Sequence, residues 1–127
     1  MNLQQYIAAV QEKLHSSSII ATFEIVDERI FLNRGYLRAR LTLTNDDFLE
    51  IAESFAVEEK ILITLDYRYQ WMNSTKDVLK KRWDSVKHFP RLSNFPHHVH
   101  VGSESNVEPV QSQNILELIE LIESTFD

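Results

Sequence analysis

The first apolar stripe of the chain repeats at helical spacing. Leu3, Ile7, Val10 and Leu14 recur at i, i+4, i+7 and i+11, and Tyr6 widens their face. Gln4, Gln5, Gln11 and Glu12 fall opposite, so the pattern predicts a packing helix that stops in the serine run Ser16 to Ser18. From Ile19 the period falls to two and β-branched residues dominate, which predicts a strand with a turn or bulge at Asp27-Glu28. Asn33-Arg34-Gly35 reads as a turn, with the glycine taking a positive φ. The next segment, YLRARLTLT, alternates cleanly, with Leu37, Ala39, Leu41 and Leu43 on one face and Arg38, Arg40 and Thr42 on the other. After Asn45-Asp46-Asp47, Phe48 to Val57 reads as a strand, because the turn spacing is that of a meander, although its composition also tolerates a helix.

The longest alternating face is formed by Ile61, Ile63, Leu65, Tyr67, Tyr69 and Trp71. A turn at Asn73-Ser74-Thr75 leads to VLKKRWD, a further strand. Near the C-terminus Asn114 and Glu117 form a capping-box pair, followed by the apolar stripe Ile115, Leu118, Ile119 and Ile122, which Leu116 and Leu121 broaden. These elements predict an α+β fold: an antiparallel β-meander of four to five strands, covered by an N-terminal and a C-terminal helix. A chain of 127 residues has the length of a single domain, here residues 1–127.

Composition narrows the chemistry. The absence of cysteine removes disulfides, thiolate zinc sites and cysteine nucleophiles. No basic leader with an apolar run opens the chain, and no run of about 18 apolar residues occurs, so a soluble cytoplasmic protein with no membrane partner is expected. Gly35 and Gly102 are the only glycines, which rules out a glycine-rich phosphate loop, and there is no nucleophile-elbow motif. The net charge is −6, yet the stretch from Arg68 to His100 holds seven Lys and Arg residues against Asp77 and Asp84. Such a basic stretch in an acidic body suits a phosphate-rich ligand or an acidic protein, or simply solvates a hairpin.

That stretch runs into Phe95-Pro96-His97-His98-Val99-His100-Val101. If it is extended, His98 and His100 project to one face, with His97 on the other. Paired imidazoles can act as general acid and base, and RNA can be cleaved in this way without a metal. Arg68, Arg82 or Lys81 would then stabilise the phosphorane. A metal would need further ligands from Asp66, Asp84 or His88, whose spacing falls short of a motif-grade site, so no metal and no cofactor are expected. For any one of these histidines, a hydrogen bond to backbone in a compact loop is the simpler role. Tyr67 and Trp71 belong to the core by their period. Tyr69 and Trp83 are left as candidates for stacking on RNA bases, beside Lys80, Lys81 and Lys87 for the phosphates.

The succession GYLRARL, YRYQW, R-W-D, H-x-P and NFPHHVHVG, from Gly35 to Gly102, resembles the TumE-type toxin family. These are small proteins encoded beside an antitoxin of helix-turn-helix type. By that likeness Arg40, Tyr67, Tyr69, Arg82, Asp84, His88, Pro96, His97, His98 and His100 fall on the family's recurring positions. The family pattern has Asn after the Asp and a second His after His88; here Ser85 and Phe89 stand there, which would impair or retune any activity those positions carry.

Two functions fit these readings. The preferred one is the toxin of a type II toxin–antitoxin pair acting on RNA. In it His98, His100, His88, Arg82 and Arg68 are catalytic, and Lys80, Lys81, Lys87, Tyr69 and Trp83 contact RNA. Arg40, Asp84, Pro96 and His97 then support the site. The other is a non-catalytic module that binds protein or nucleic acid. Exposed strand edges and the apolar terminal helix fit a monomer or a homodimer.

Overall fold

The computed structural model describes residues 1–85 and 97–126. Its elements are α1 (Leu3–Ser16), β1 (Ile20–Phe31), β2 (Arg34–Leu43), β3 (Phe48–Glu58), β4 (Ile61–Met72), β5 (Leu79–Asp84), β6 (His98–Val101), β7 (Val107–Pro109) and α2 (Ile115–Glu123). The seven strands form one sheet in the order of the sequence, with every neighbouring pair antiparallel. The α+β meander is the predicted one, but among the described residues it has seven strands rather than four or five. The additional pairing comes from β6 and from the three residues of β7, too short to leave an alternation signal. Neither helix is long and apolar enough to cross a bilayer.

One sheet face carries the core. Leu37, Ala39, Leu41 and Leu43 from β2 meet Leu49, Ile51 and Phe55 from β3, Tyr67, Tyr69 and Trp71 from β4, Trp83 from β5 and Val99 from β6. The predicted stripes of the two helices close over them: Leu3, Tyr6, Ile7, Val10 and Leu14 from α1, and Ile115, Leu118, Ile119 and Ile122 from α2. Both helices begin with a capping box, Asn2 with Gln5 and Asn114 with Glu117, which satisfies backbone N–H groups that the first turn leaves open.

Two local expectations are corrected. Gly35 lies inside β2 rather than in the turn, and the positive φ belongs to Leu32, at 57°. The glycine is required for a steric reason: a Cβ there would lie 2.3 Å from Cε2 of the buried Phe55 ring, which is held edge-on by Tyr6 at 4.8 Å. The continuous apolar face read from Ile61 to Trp71 is also broken. A bulge in the β3–β4 pairing at Ser54/Phe55 sets Thr64 opposite Phe55. Leu62 therefore packs against the core while Ile61 is exposed. Of the turn or bulge expected at Asp27-Glu28, the structure has the second: β1 runs through with a register shift between Ile25 and Asp27.

Glu53 is a carboxylate on the apolar face of β3, and it ties three elements together. The Tyr6 hydroxyl of α1 and the Thr64 hydroxyl of β4 (2.7 Å) donate to it, as does the Ile115 N–H at the start of α2 (3.3 Å). Burial pushes its pKa from an ordinary 4.5 up to about 7, against these hydrogen bonds, which lower it. A carboxyl whose pKa is higher in the folded chain holds its proton there and releases it on unfolding. The stability that Glu53 contributes is therefore full below about pH 4.5 and falls as the pH rises toward 7, by about 3 kcal/mol at most. Urea midpoints measured at pH 5 and pH 7.5 should show this decline, and Glu53→Gln should flatten it. In the same assay, Gly35→Ala should cost about 1–3 kcal/mol through the collision with Phe55, part of which Phe55→Leu restores.

Candidate functional site

Successive residues of a strand face opposite sides of the sheet, and the β5–β6 pair uses both. Trp83 is paired with Val99 and both lie in the core under the helices. The alternate residues, Arg82 paired with His100 and Asp84 paired with His98, therefore share the opposite face. On β4, Arg68 pairs with Asp84 and Gln70 with Arg82, so the same face continues across three strands. This brings together Arg68, Arg82, His98 and His100, four of the five residues read as catalytic. The fifth, His88, lies outside the described residues, as do Lys87, Pro96 and Phe89.

Asp84 is at the centre of the group. Its Oδ1 is 2.7 Å from His98 Nε2, and its Oδ2 is 3.4 Å from Arg82 Nε and 3.7 Å from His100 Nε2. The two imidazole centroids are 5.0 Å apart, with the planes at 78°. Both rings are 1% exposed, and Asp84 is buried with them. His100 Nδ1 lies 2.8 Å from the Glu104 carbonyl. A carbonyl only accepts, so Nδ1 carries the hydrogen, and in the neutral ring the lone pair is on Nε2, the nitrogen nearer Asp84.

Arg82 is buried and points its other two nitrogens at both carboxylate oxygens of Glu104, in the turn between β6 and β7. The hydrogen bonds that Arg82 donates to Glu104 raise the Arg82 pKa, and Arg82 in turn holds the Glu104 carboxyl below the usual carboxylate range. Gln70 Oε1 joins the group to Arg68, accepting from Arg68 at 2.9 Å and from Arg82 at 3.4 Å. Neither Gln70 nor Glu104 was singled out from the sequence. Gly102 at φ 75° and the serine-rich Ser103-Glu104-Ser105-Asn106 are turn signals, but a turn signal does not tell which arginine its glutamate will meet.

The remaining candidates divide between the two faces. Lys81 places Nζ 5.9 Å from the Trp83 ring, and Lys80 pairs with Asp47 at 5.5 Å from the Trp71 ring, so both lie on the helix side, away from the histidines. Tyr69 and Trp83 are core residues, as Tyr67 and Trp71 are; the Tyr69 hydroxyl donates to the Gln113 carbonyl at 2.8 Å. His97 is also on the helix side, parallel to Tyr67 with its Nδ1 3.0 Å from the Tyr67 hydroxyl. Burial lowers the His97 pKa. Arg40 lies on the histidine side but further along the sheet, 3.1 Å from Glu50, which Arg38 also contacts. Ser85 continues the pairing beyond β5: its N–H reaches the Tyr67 carbonyl at 3.2 Å, and its hydroxyl accepts from the Tyr67 N–H at 3.0 Å.

Beside Arg68 and Ser85 the sheet bears an open depression of about 500 Å³, lined also by Tyr36, Arg38, Glu50 and Asp66. Asp66 thus faces this depression and is not part of the Asp84 group. For a metal ion, Asp84, His98 and His100 offer three donor atoms within 4.8 Å of one another. Arg82 already supplies a positive charge at the same carboxylate. Chemically the group can hold an imidazole in a fixed orientation, pass protons, and bind an oxyanion through its guanidinium groups.

A family model described as Toxin TumE matches residues 9–126. No curated protein and no solved structure matches the chain. The match takes in the second half of α1, the seven strands, α2 and every residue of the Asp84 group, well over half of the chain. The protein belongs to the TumE toxin family.

Proposed function

We propose that this protein is the toxin of a type II toxin–antitoxin pair and that it cleaves RNA through the Asp84 group. The toxin family supports the first part and implies an antitoxin partner; a helix-turn-helix antitoxin and a cytoplasmic site of action belong to the proposal. The observation that carries the second part is the arrangement of two imidazoles and an arginine around one buried carboxylate, with Arg68 on the adjoining strand.

In the proposed reaction the RNA 2′-oxygen attacks the adjacent phosphorus, and its proton passes to His100 Nε2. His98, oriented through Nε2 by Asp84, gives a proton to the departing 5′-oxygen. The P–O5′ bond breaks, leaving a 2′,3′-cyclic phosphate and a 5′-hydroxyl. Arg82 and Arg68 stabilise the added charge on the phosphorane oxygens. The histidines exchange their protonation states over the cycle, so no outside oxidant or metal enters the balance.

A second reading rests on the burial of both imidazoles at 1% exposure. In it the Asp84 group is a hydrogen-bonded support for a non-catalytic toxin that captures a protein or nucleic acid. One experiment separates the two. Purified protein is incubated with cellular RNA, with and without EDTA, beside His98→Ala and His100→Ala. The ribonuclease reading expects products ending in a 2′,3′-cyclic phosphate in both buffers and rates lowered roughly 100-fold or more by either substitution. Intact RNA at a protein concentration that arrests growth would leave only the binding module.

A further inference from the structure

A buried guanidinium that meets both oxygens of a carboxylate has the geometry it uses for a phosphate. Arg82 is so engaged by Glu104, and its position is fixed by Asp84 on one side and Gln70 on the other. The carboxylate is on a different footing. Its side chain is 68% exposed and stands on the turn that joins β6 to the three-residue β7. Arg68 is close enough to contribute, after Arg82 and His100, to holding the Glu104 carboxyl in its charged form. Glu104 also occupies the second functional group, since its backbone carbonyl takes the His100 Nδ1 hydrogen. One exposed residue thus engages an arginine and a histidine of the candidate site.

We propose that Arg82 and Arg68, bridged by Gln70, form an oxyanion subsite for a phosphate group, which Glu104 fills as an internal stand-in. Binding of a phosphate there requires the Glu104 side chain to leave Arg82. When the turn moves with it, His100 loses the carbonyl that holds its Nδ1. The β6–β7 turn therefore competes with phosphate-bearing ligands and couples their arrival to the state of His100. The ligand class rests on the ribonuclease reading, whereas the competition rests on the Arg82–Glu104 pair alone.

The test is calorimetric titration of the full chain with inorganic phosphate, which involves no turnover. Glu104→Gln keeps the size of an exposed side chain and removes its charge, and should bind phosphate about fivefold more tightly than the wild type, the factor appropriate to a pair with one exposed partner. Arg68→Gln in the same background, also an exposed position, should return the affinity toward the wild-type value. Equal affinity of the wild type and Glu104→Gln, or no phosphate binding by either, would overturn the proposal. If Glu104→Gln gains affinity while RNA stays intact, the subsite stands and the cleavage reading falls. If RNA is cut and Glu104→Gln gains nothing, the stand-in falls alone.

Discussion

A strand sends alternate side chains to opposite faces, and the register of β5 against β6 decides which chemistry appears on which side. Trp83 and Val99 must both face the helices, where Tyr69 already lies beside Trp83 on β4. Once these rings are buried, Arg82, Asp84, His98 and His100 have no other place than the opposite face. A slip of one residue on β6 would drive two imidazoles into the apolar layer and expose Val99. The candidate site therefore inherits its geometry from core packing, and the energy that fixes it is hydrophobic burial on the far side of the sheet.

Glu53 and Asp84 are buried carboxylates on opposite faces of the sheet, and the two are satisfied differently. Glu53, between α1 and α2, is met by hydroxyls and a backbone N–H, all neutral donors, and its pKa rises. It joins the first helix, the sheet and the last helix at one point, which explains why a polar group is kept inside the apolar layer. Asp84 is met by a guanidinium and two imidazoles, groups that carry or can take up positive charge. Asp84 is thus held by groups of opposite or switchable charge, while Glu53 is held by neutral donors alone.

The sequence made the regular parts legible because their signals are local. Helical stripes, the alternation of β2 and the capping box at Asn114 depend on residues within a few positions of one another, and so does the common face of His98 and His100. Asp84 could only be grouped with them by proximity in the chain, because its partnership is a register between strands separated by residues 85–97. The basic stretch misled for a related reason. Its summed charge takes no account of period two, which leaves Arg68 and Arg82 with the histidines and sends Lys81 to the helix side. Bulges add a further error: at Ser54/Phe55 the apolar face of β4 is shifted by one residue, and nothing in the composition of Ile61 to Leu65 announces it.

The pairing of Arg82 with Glu104 follows from the same constraint. Because core packing turns Arg82 to the other face beside two buried histidines, its guanidinium is largely withdrawn from water. A charge so placed without an anion is costly, and Asp84 alone, 3.4 Å from one nitrogen, leaves two further nitrogens to satisfy. An arginine kept ready for phosphate in this position must therefore be held by another anion until phosphate arrives. A buried glutamate would make that hold too firm to exchange. A glutamate on a short, solvent-facing turn satisfies the guanidinium at a modest net gain, which a ligand bringing its own phosphate can exceed. Burial of the arginine and exposure of its partner are thus two sides of one requirement.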